Sequence, residues 1–144
     1  MIKMSYSIIA LHAPTKPINI GGALRAASCF DAASVVVGGG FFKTEAADTT
    51  KFHRKKPLHV VQDVMDAIPY DCVPVAVEYI KGATYLRDYE HPPRAFYIFG
   101  PENGSLPARI LDRCRDKVVI NSDSCLNLAA TVNIVLYDRR AKLL

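Results

Sequence analysis

Three segments that lie far apart in the sequence combine polar side chains with glycines. Asn19 and Arg25 stand in the segment N-I-G-G-A-L-R, residues 99–104 read F-G-P-E-N-G, and residues 125–129 read C-L-N-L-A. Each segment adjoins an apolar run, and ligands of α/β proteins bind where such runs end. A guanidinium can stabilise a developing oxyanion, and a glycine-rich loop exposes backbone groups that can hold a nucleotide-like ligand. These segments form the candidate site.

The first segment predicts the start of a helix. Asn19 can cap this helix by accepting hydrogen bonds from exposed backbone N–H groups. Two glycines in the opening turns cost roughly 1 kcal/mol each relative to alanine, which indicates that something approaches this backbone closely. A capped helix with a surface arginine is the alternative interpretation. The face opposite the apolar stripe is expected to carry Gly21, Gly22, Arg25, Ser28 and Cys29.

The second and third segments each allow two interpretations. A Gly-Pro turn closes the strand that precedes Glu102, so this carboxylate either helps to hold a ligand or complements the positive N-terminus of the next helix. Asn127 either shapes a pocket or caps the final helix. Cys125 is not favoured as a nucleophile, because no motif ties a histidine to it. The four histidines are instead expected in loops or at the surface.

Length and composition indicate one ordinary globular domain, residues 1–144. Half of the residues are hydrophobic and 22% are charged, which excludes a disordered tail or a coiled coil. The four cysteines show no C-x-x-C spacing, so they predict reduced thiols in the cytoplasm and neither a zinc site nor a disulfide framework. No cleavable signal is evident, and Asp123 interrupts the one stretch long enough to suggest a membrane span.

The net charge of +4 permits nucleic-acid binding without requiring it. One cluster stands out, a basic segment at residues 51–56 that contains no acidic residue. It predicts a contact with RNA phosphates, and a solvated loop is the alternative. The residues expected to bind RNA are Lys51, Arg54, Lys55 and Lys56.

Short apolar runs bounded by glycine, proline, asparagine or aspartate predict five buried strands, at residues 6–10, 34–37, 73–77, 94–99 and 117–120. Apolar residues recur at helical spacing within residues 20–27 and 61–68. A further helix is expected at residues 107–114, with Ser105 as its cap. The alternation of strands and helices predicts an α/β fold whose mainly parallel sheet is covered by helices on both faces.

The last predicted helix, residues 127–142, is apolar nearly all round from residue 128 to residue 137. A helix that buries every face in so small a domain needs a second partner beyond its own sheet. We therefore expect a homodimer. Burial of this helix inside a single subunit is the alternative.

Taken together, the three segments resemble the signature motifs of the SpoU/TrmH class of RNA ribose methyltransferases, within the SPOUT superfamily. Asn19 and Arg25 match the motif N-x-G-x-x-x-R, and residues 99–102 match the start of F-G-P-E-x-x-G. Ser105 separates the glycine of the second motif from the leucine that usually follows it. The third motif, commonly S-L-N-V-S, is matched at its leucine and asparagine, whereas both of its serines are replaced in residues 125–129.

The resemblance implies the α/β knot, a parallel sheet whose C-terminal segment threads a loop as a trefoil knot and forms the cofactor pocket. It implies transfer of a methyl group from S-adenosyl-L-methionine (AdoMet) to a ribose 2′-hydroxyl of RNA. Among RNAs, tRNA is the expected substrate. Arg25, reaching across from the other subunit of a homodimer, is the implied catalytic residue, with Asn19 and Glu102 positioning it and Asn127 shaping the pocket mouth. The implied AdoMet contacts are Val77, Glu78, Tyr79, Gly100, Ile120, Cys125 and Leu126.

Two other classes of function stay open. A dinucleotide-dependent oxidoreductase would also be α/β, but no G-x-G-x-x-G follows the first strand. A catalytically weakened RNA-binding or assembly protein of the same fold is the nearer alternative. Cys125 stands where relatives carry a serine, and a thiol is a poor hydrogen-bond donor beside a hydroxyl.

Overall fold

In the part of the chain that the structure describes, seven strands form one sheet in which every pairing is parallel. The computed structural model describes residues 4–40 and 51–143. Along the sheet the strand order is β3-β2-β1-β6-β4-β7-β5. The strands are β1 (Tyr6–His12), β2 (Ser34–Gly38), β3 (Leu58–Val61), β4 (Val73–Val77), β5 (Thr84–Tyr85), β6 (Arg94–Phe99) and β7 (Asp116–Val119). The helices are α1 (Pro17–Cys29), α2 (Ala108–Leu111) and α3 (Leu128–Leu143).

The five predicted strands are all present, and β1 and β6 lie side by side at the centre of the sheet. Ile9 pairs with Val35 on one side and with Tyr97 on the other, and these three side chains are fully buried. Continuous apolar runs are typical of parallel strands that are covered on both faces. The two-residue β5 and the four-residue β3 were not predicted, because short edge strands with exposed side chains carry little periodic signal.

One face of the sheet is covered by α1 and α3, which pack against each other. The two helices lie close together at Gly22, where an added Cβ would lie 2.6 Å from the Cβ of Ala129. Gly22 therefore does not lie on an open face of α1, as the sequence had suggested. The partner that approaches this glycine is another helix of the same chain.

The opposite face is covered by shorter elements than predicted. Residues 61–68 do not form a helix, because Val61 ends β3 and only residues Val64–Ala67 form a 3₁₀ turn. Their spacing at i, i+3 and i+4 reflects burial of Val64 and Met65 against the sheet. The helix expected at residues 107–114 is limited to α2, and Ser105 does not cap it, since the N-cap is Pro107 without a side-chain hydrogen bond.

A buried polar network at the amino-terminal edge of the sheet fixes the end of α3. The fully buried side chain of His91 lies 2.6 Å from the Tyr97 hydroxyl and 2.7 Å from the carboxylate of Asp138. Burial lowers the pKa of His91, although the Asp138 carboxylate opposes the shift. Arg139 donates to the carbonyl of Pro92 at 2.8 Å. His91 lies in the loop before β6, as expected for a histidine, but its side chain is buried there.

The four cysteines are unpaired: Cys72 and Cys114 are buried, and Cys29 and Cys125 are exposed. Burial raises the pKa of the Cys114 thiol to about 11. Across residues 4–40 and 51–143, no helix is both long enough and apolar enough to cross a bilayer.

Candidate active site

A cavity of about 390 Å³ opens at the carboxyl-terminal edge of the sheet, where β6, β4 and β7 end side by side. Val77, Phe99 and Val119, the last residues of these three strands, line its floor. The start of α1 and the start of α3 close its sides. Its volume lies within the range of roughly 300–1,000 Å³ that is typical of small-molecule sites, and its place in the sheet is where open α/β folds bind ligands.

The cavity brings together ten of the eleven catalytic and cofactor-binding residues that the sequence singled out. They come from all three motifs and from the ends of β4 and β7, and they span residues 19–127 of the sequence. Arg25 is the one that does not line it. The ten are Asn19, Val77, Glu78, Tyr79, Gly100, Glu102, Ile120, Cys125, Leu126 and Asn127.

Glu102 ties the second motif to the first. Its carboxylate accepts hydrogen bonds from the backbone N–H groups of Thr15 at 3.0 Å and Lys16 at 2.9 Å, and from the side-chain amide of Asn19 at 3.1 Å. Partial burial acts to raise the pKa of Glu102, but these hydrogen bonds outweigh it and hold the pKa below its ordinary value. The carboxylate therefore stays ionised at neutral pH and anchors the start of α1.

Asn19 does not cap α1, which corrects the sequence interpretation. The helix begins at Pro17, its N-cap is Lys16, and no side chain caps it. Asn19 is the third residue of the helix and donates its amide to Glu102 instead. Glu102, 83 residues away in sequence from Asn19, instead accepts from the N–H groups of Thr15 and Lys16, just before the helix begins.

Glu78 holds the loop of the second motif in place from the end of β4. One carboxylate oxygen accepts from the N–H of Leu106 at 2.7 Å, and the other accepts from the N–H of Tyr79 at 2.9 Å. Gly100 lies beside this carboxylate, and a Cβ added there would lie 3.3 Å from Glu78 and 3.4 Å from Leu106. The sequence indicates Glu78 only as one of three consecutive cofactor contacts. Nothing in its position along the chain shows that its carboxylate binds the loop after β6.

Asn127 caps α3, as one of its two interpretations predicted, and it also lines the cavity. Its side-chain oxygen accepts from the N–H of Ala130 at 2.7 Å. Leu126 is 40% exposed at the rim, and Cys125 beside it is exposed too. Three polar lining residues were missed, because each sits next to a motif without belonging to it: Lys16, Ser122 and Thr131.

Arg25 projects from an exposed part of α1, away from the cavity. It follows Asn19 by six residues, which places it about 9 Å further along the helix axis and about 120° around it. Within residues 4–40 and 51–143 no hydrogen bond or ion pair involves its guanidinium. The chain's own fold therefore does not bring Arg25 to the site.

The basic segment also lies away from the cavity. It precedes β3, and Lys56 forms an ion pair with Asp31, just before β2. Because all strands run in parallel, this is the amino-terminal edge of the sheet, roughly 15 Å from the edge that holds the cavity. Phe52 anchors the segment in the core beside α1, and Lys51, Arg54 and Lys55 are exposed. The longest irregular region that the sequence indicates runs from residue 43 to residue 56, and its residues 43–50 lie outside the described residues.

No group of three or more histidine, cysteine, aspartate or glutamate side chains is arranged to hold a metal ion in the part of the chain that the structure describes. The polar residues that line the cavity carry carboxylate, amide, hydroxyl, amine and thiol groups. Such a set, with apolar walls, suits an organic ligand that has both an aromatic and a polar end.

Comparison with known proteins gives one family and many structures. The model of the SpoU rRNA Methylase family matches residues 6–137. No curated protein matches the chain significantly. One similar structure is the SpoU methyltransferase AviRb of Streptomyces viridochromogenes, solved with AdoMet. The two sequences are 22% identical, the TM-score is 0.84, and the alignment covers 99% of this chain and 59% of AviRb. The chain thus spans about three fifths of that relative's length.

Two further structures extend the comparison. An AdoMet-bound rRNA methyltransferase of Sinorhizobium meliloti is 19% identical with a TM-score of 0.87, and 99% of this chain covers 58% of it. A structure described by the 2′-OH methylation of C/U34 on tRNA is 21% identical with a TM-score of 0.81, and 96% of this chain covers 97% of it. These likenesses confirm the predicted α/β knot fold.

Proposed function

Since the chain belongs to the SpoU rRNA methylase family, we propose that it transfers the methyl group of AdoMet to a ribose 2′-hydroxyl of RNA. The observation that supports this most is the cavity at the ends of β4, β6 and β7. It gathers ten residues that the motifs and the family resemblance indicate as site residues. Separate motifs that converge on one ligand-sized cavity are typical of an active site.

The cavity suits AdoMet by size and by lining. Val77, Ile120 and Leu126 give an apolar surface for the adenine ring, and the loop after Gly100 offers backbone groups to polar atoms. Gly100 leaves room for close approach, because a side chain there would meet Glu78 and Leu106. When bound, AdoMet supplies an already activated methyl group, so the protein has only to align the attacking hydroxyl and assist loss of its proton.

Arg25 is proposed to stabilise the negative charge that forms on the ribose oxygen. A guanidinium has a pKa above about 12 and is therefore a poor base, but it is a strong fixed donor to an alkoxide or a phosphate. Asn19 and Glu102 fix the start of α1, the helix that carries Arg25. They are therefore positioning residues for this chemistry, and Asn127 shapes the mouth of the cavity from the start of α3.

We propose that Arg25 acts in the cavity of a second copy of the chain. Arg25 and the basic segment both lie toward the amino-terminal edge of the sheet. A single interface would therefore place both of them beside the cavity of the second copy. Large apolar side chains remain exposed on the two packed helices, with Ile18 at 80%, Ile134 at 38% and Tyr137 at 63%. A homodimer that covers these side chains would complete the site in both subunits.

We propose tRNA as the substrate and the cytoplasm as the place of action. The chain covers nearly all of the relative that is described by tRNA methylation, whereas it covers about three fifths of AviRb and of the Sinorhizobium meliloti rRNA methyltransferase. Lys51, Arg54 and Lys55 are proposed to contact RNA phosphates, while Lys56 is engaged by Asp31. Both RNA classes belong in the test.

The decisive experiment is incubation of the protein with methyl-labelled AdoMet and with either bulk tRNA or ribosomal RNA, followed by nucleoside analysis. We expect label in 2′-O-methylated nucleosides, and calorimetric titration should show binding of AdoMet but not of NAD. RNA binding without incorporation of label would point to the catalytically weakened alternative. Binding of NAD in place of AdoMet would overturn the proposal.

A further inference from the structure

A second hollow of about 290 Å³ adjoins the candidate active site at the same edge of the sheet. Tyr79, Val119 and Ile120 line both, so the two form one continuous surface. The second hollow extends towards β5, the edge strand beyond β7. None of its lining residues is acidic. Neither the motifs nor the comparisons assign it any role.

Two exposed tyrosines flank this second hollow. Tyr79 is 63% exposed and donates a hydrogen bond from its hydroxyl to the carbonyl of Ser122 at 3.4 Å, which holds the ring between the two cavities. Tyr85, on β5, is 45% exposed, and the guanidinium of Arg87 lies 5.4 Å from its ring centroid. Exposed aromatic rings beside a cation are the components on which unpaired bases stack.

A tight turn carries a second cation to the rim. The N–H of Ala83 donates to the carbonyl of Ile80 at 3.3 Å, and Gly82 has a φ of +87°. Glycine at the third position with positive φ is the signature of a type II turn. The turn therefore places the exposed Lys81 at its tip, next to the tyrosines.

We infer that this second hollow binds an unpaired nucleotide of the substrate RNA, next to the nucleotide that is methylated. Tyr85 stacks on the base, Lys81 faces the phosphate, and the side-chain amide of Asn121 is available to a base edge. The inference rests on the proposed function. Because the second hollow is continuous with the AdoMet cavity, an RNA that is methylated there is the ligand expected to extend into the hollow. It adds a requirement for single-stranded or looped RNA, since paired bases cannot present a free face.

The test compares Tyr85→Ala with Tyr85→Phe in the full-length protein. The probes are a fluorescein-labelled oligoadenylate of twelve nucleotides and a fully paired RNA hairpin, both followed by fluorescence anisotropy. Loss of the ring should weaken oligoadenylate binding at least about fivefold, while phenylalanine should restore it. Hairpin binding should not change. Tyr70→Ala is the matched control, since Tyr70 is fully exposed and lies outside both cavities.

Lys81→Gln gives an independent readout. It should reduce the slope of log affinity for oligoadenylate against log salt by about 0.7, the value for one phosphate contact to a single strand. AdoMet titration of every variant separates the two proposals, because Tyr85→Ala should leave AdoMet affinity intact. Unchanged oligoadenylate affinity in Tyr85→Ala, or no oligoadenylate binding by the parent, would overturn the inference. Failure to bind AdoMet would instead overturn the proposed function.

Discussion

Arg25 offers the most direct test at the scale of single residues, because it is proposed to stabilise the charge that forms on the ribose oxygen. Arg25→Ala should lower turnover by on the order of 10²-fold or more, the effect of losing one preorganised charged donor. Affinity for AdoMet should be largely retained, since Arg25 is proposed to contact the reacting ribose oxygen and not the cofactor. Single-turnover methyl transfer and calorimetry measure the two effects. Arg113→Ala, at another exposed arginine, is the control, and parental turnover by Arg25→Ala would remove Arg25 from the mechanism.

Glu102 gives a prediction on stability and its dependence on pH. Its folded pKa is depressed, so its contribution is fully present above the ordinary glutamate pKa of 4.5 and is lost as the pH falls through the lower folded value. Glu102→Gln should lower the free energy of unfolding at pH 7 by about 1–2 kcal/mol, because charge-assisted hydrogen bonds become neutral ones.

Urea denaturation at a series of pH values measures this difference between the parent and Glu102→Gln. The two stabilities should converge as the solution is acidified below pH 4.5. Glu90→Gln is the matched control, since Glu90 is exposed and forms no hydrogen bond with the described residues. A difference that stays constant from neutral to acid pH would show that the carboxylate charge is not what stabilises the loop.

At the scale of elements, the contact between α1 and α3 depends on Gly22. Alanine would gain roughly 1 kcal/mol of helix propensity, but its Cβ would lie 2.6 Å from that of Ala129. Overpacking of this kind costs about 1–3 kcal/mol, so Gly22→Ala should be destabilising overall. The double variant Gly22→Ala, Ala129→Gly should recover the loss. Denaturant unfolding of the parent, Gly22→Ala, Ala129→Gly and the double variant measures the coupling energy between the two positions. Stabilisation by Gly22→Ala alone would contradict the prediction.

The elements also show where periodicity misled. Val64 and Met65 have helical spacing with their neighbours, yet they belong to a single 3₁₀ turn, in which the side chain of Asp63 accepts from the N–H of Met65 at 3.0 Å. Apolar spacing reports which side chains are buried, and a strand end followed by a turn buries the same positions as a helix would. The long amphipathic α1, by contrast, was correctly predicted as a helix, although its start was misplaced at Asn19.

At the scale of the whole molecule, shared sites can be tested by mixing subunits. Arg25→Ala retains its own cavity, whereas Leu126→Arg places a charge in the cavity but retains Arg25. Each variant alone should be inactive. After mixing and reassociation in equal amounts, half of the dimers carry one complete site, so activity should recover to about a quarter of the parental value. Mixtures no more active than the separate variants would show that Arg25 does not act across an interface.

The sequence by itself determined the parallel α/β fold, five of the seven strands of the described chain and ten of the eighteen residues that line the cavity. These features follow from local properties: buried strands are apolar runs, and ligand-binding loops are glycine and polar segments at their ends. Only the tertiary structure decided that Glu102 anchors the start of α1, that Ala129 is what approaches Gly22, and that Arg25 lies away from its own cavity. Each depends on which distant segments the path of the chain brings together, and neighbouring residues do not encode that path.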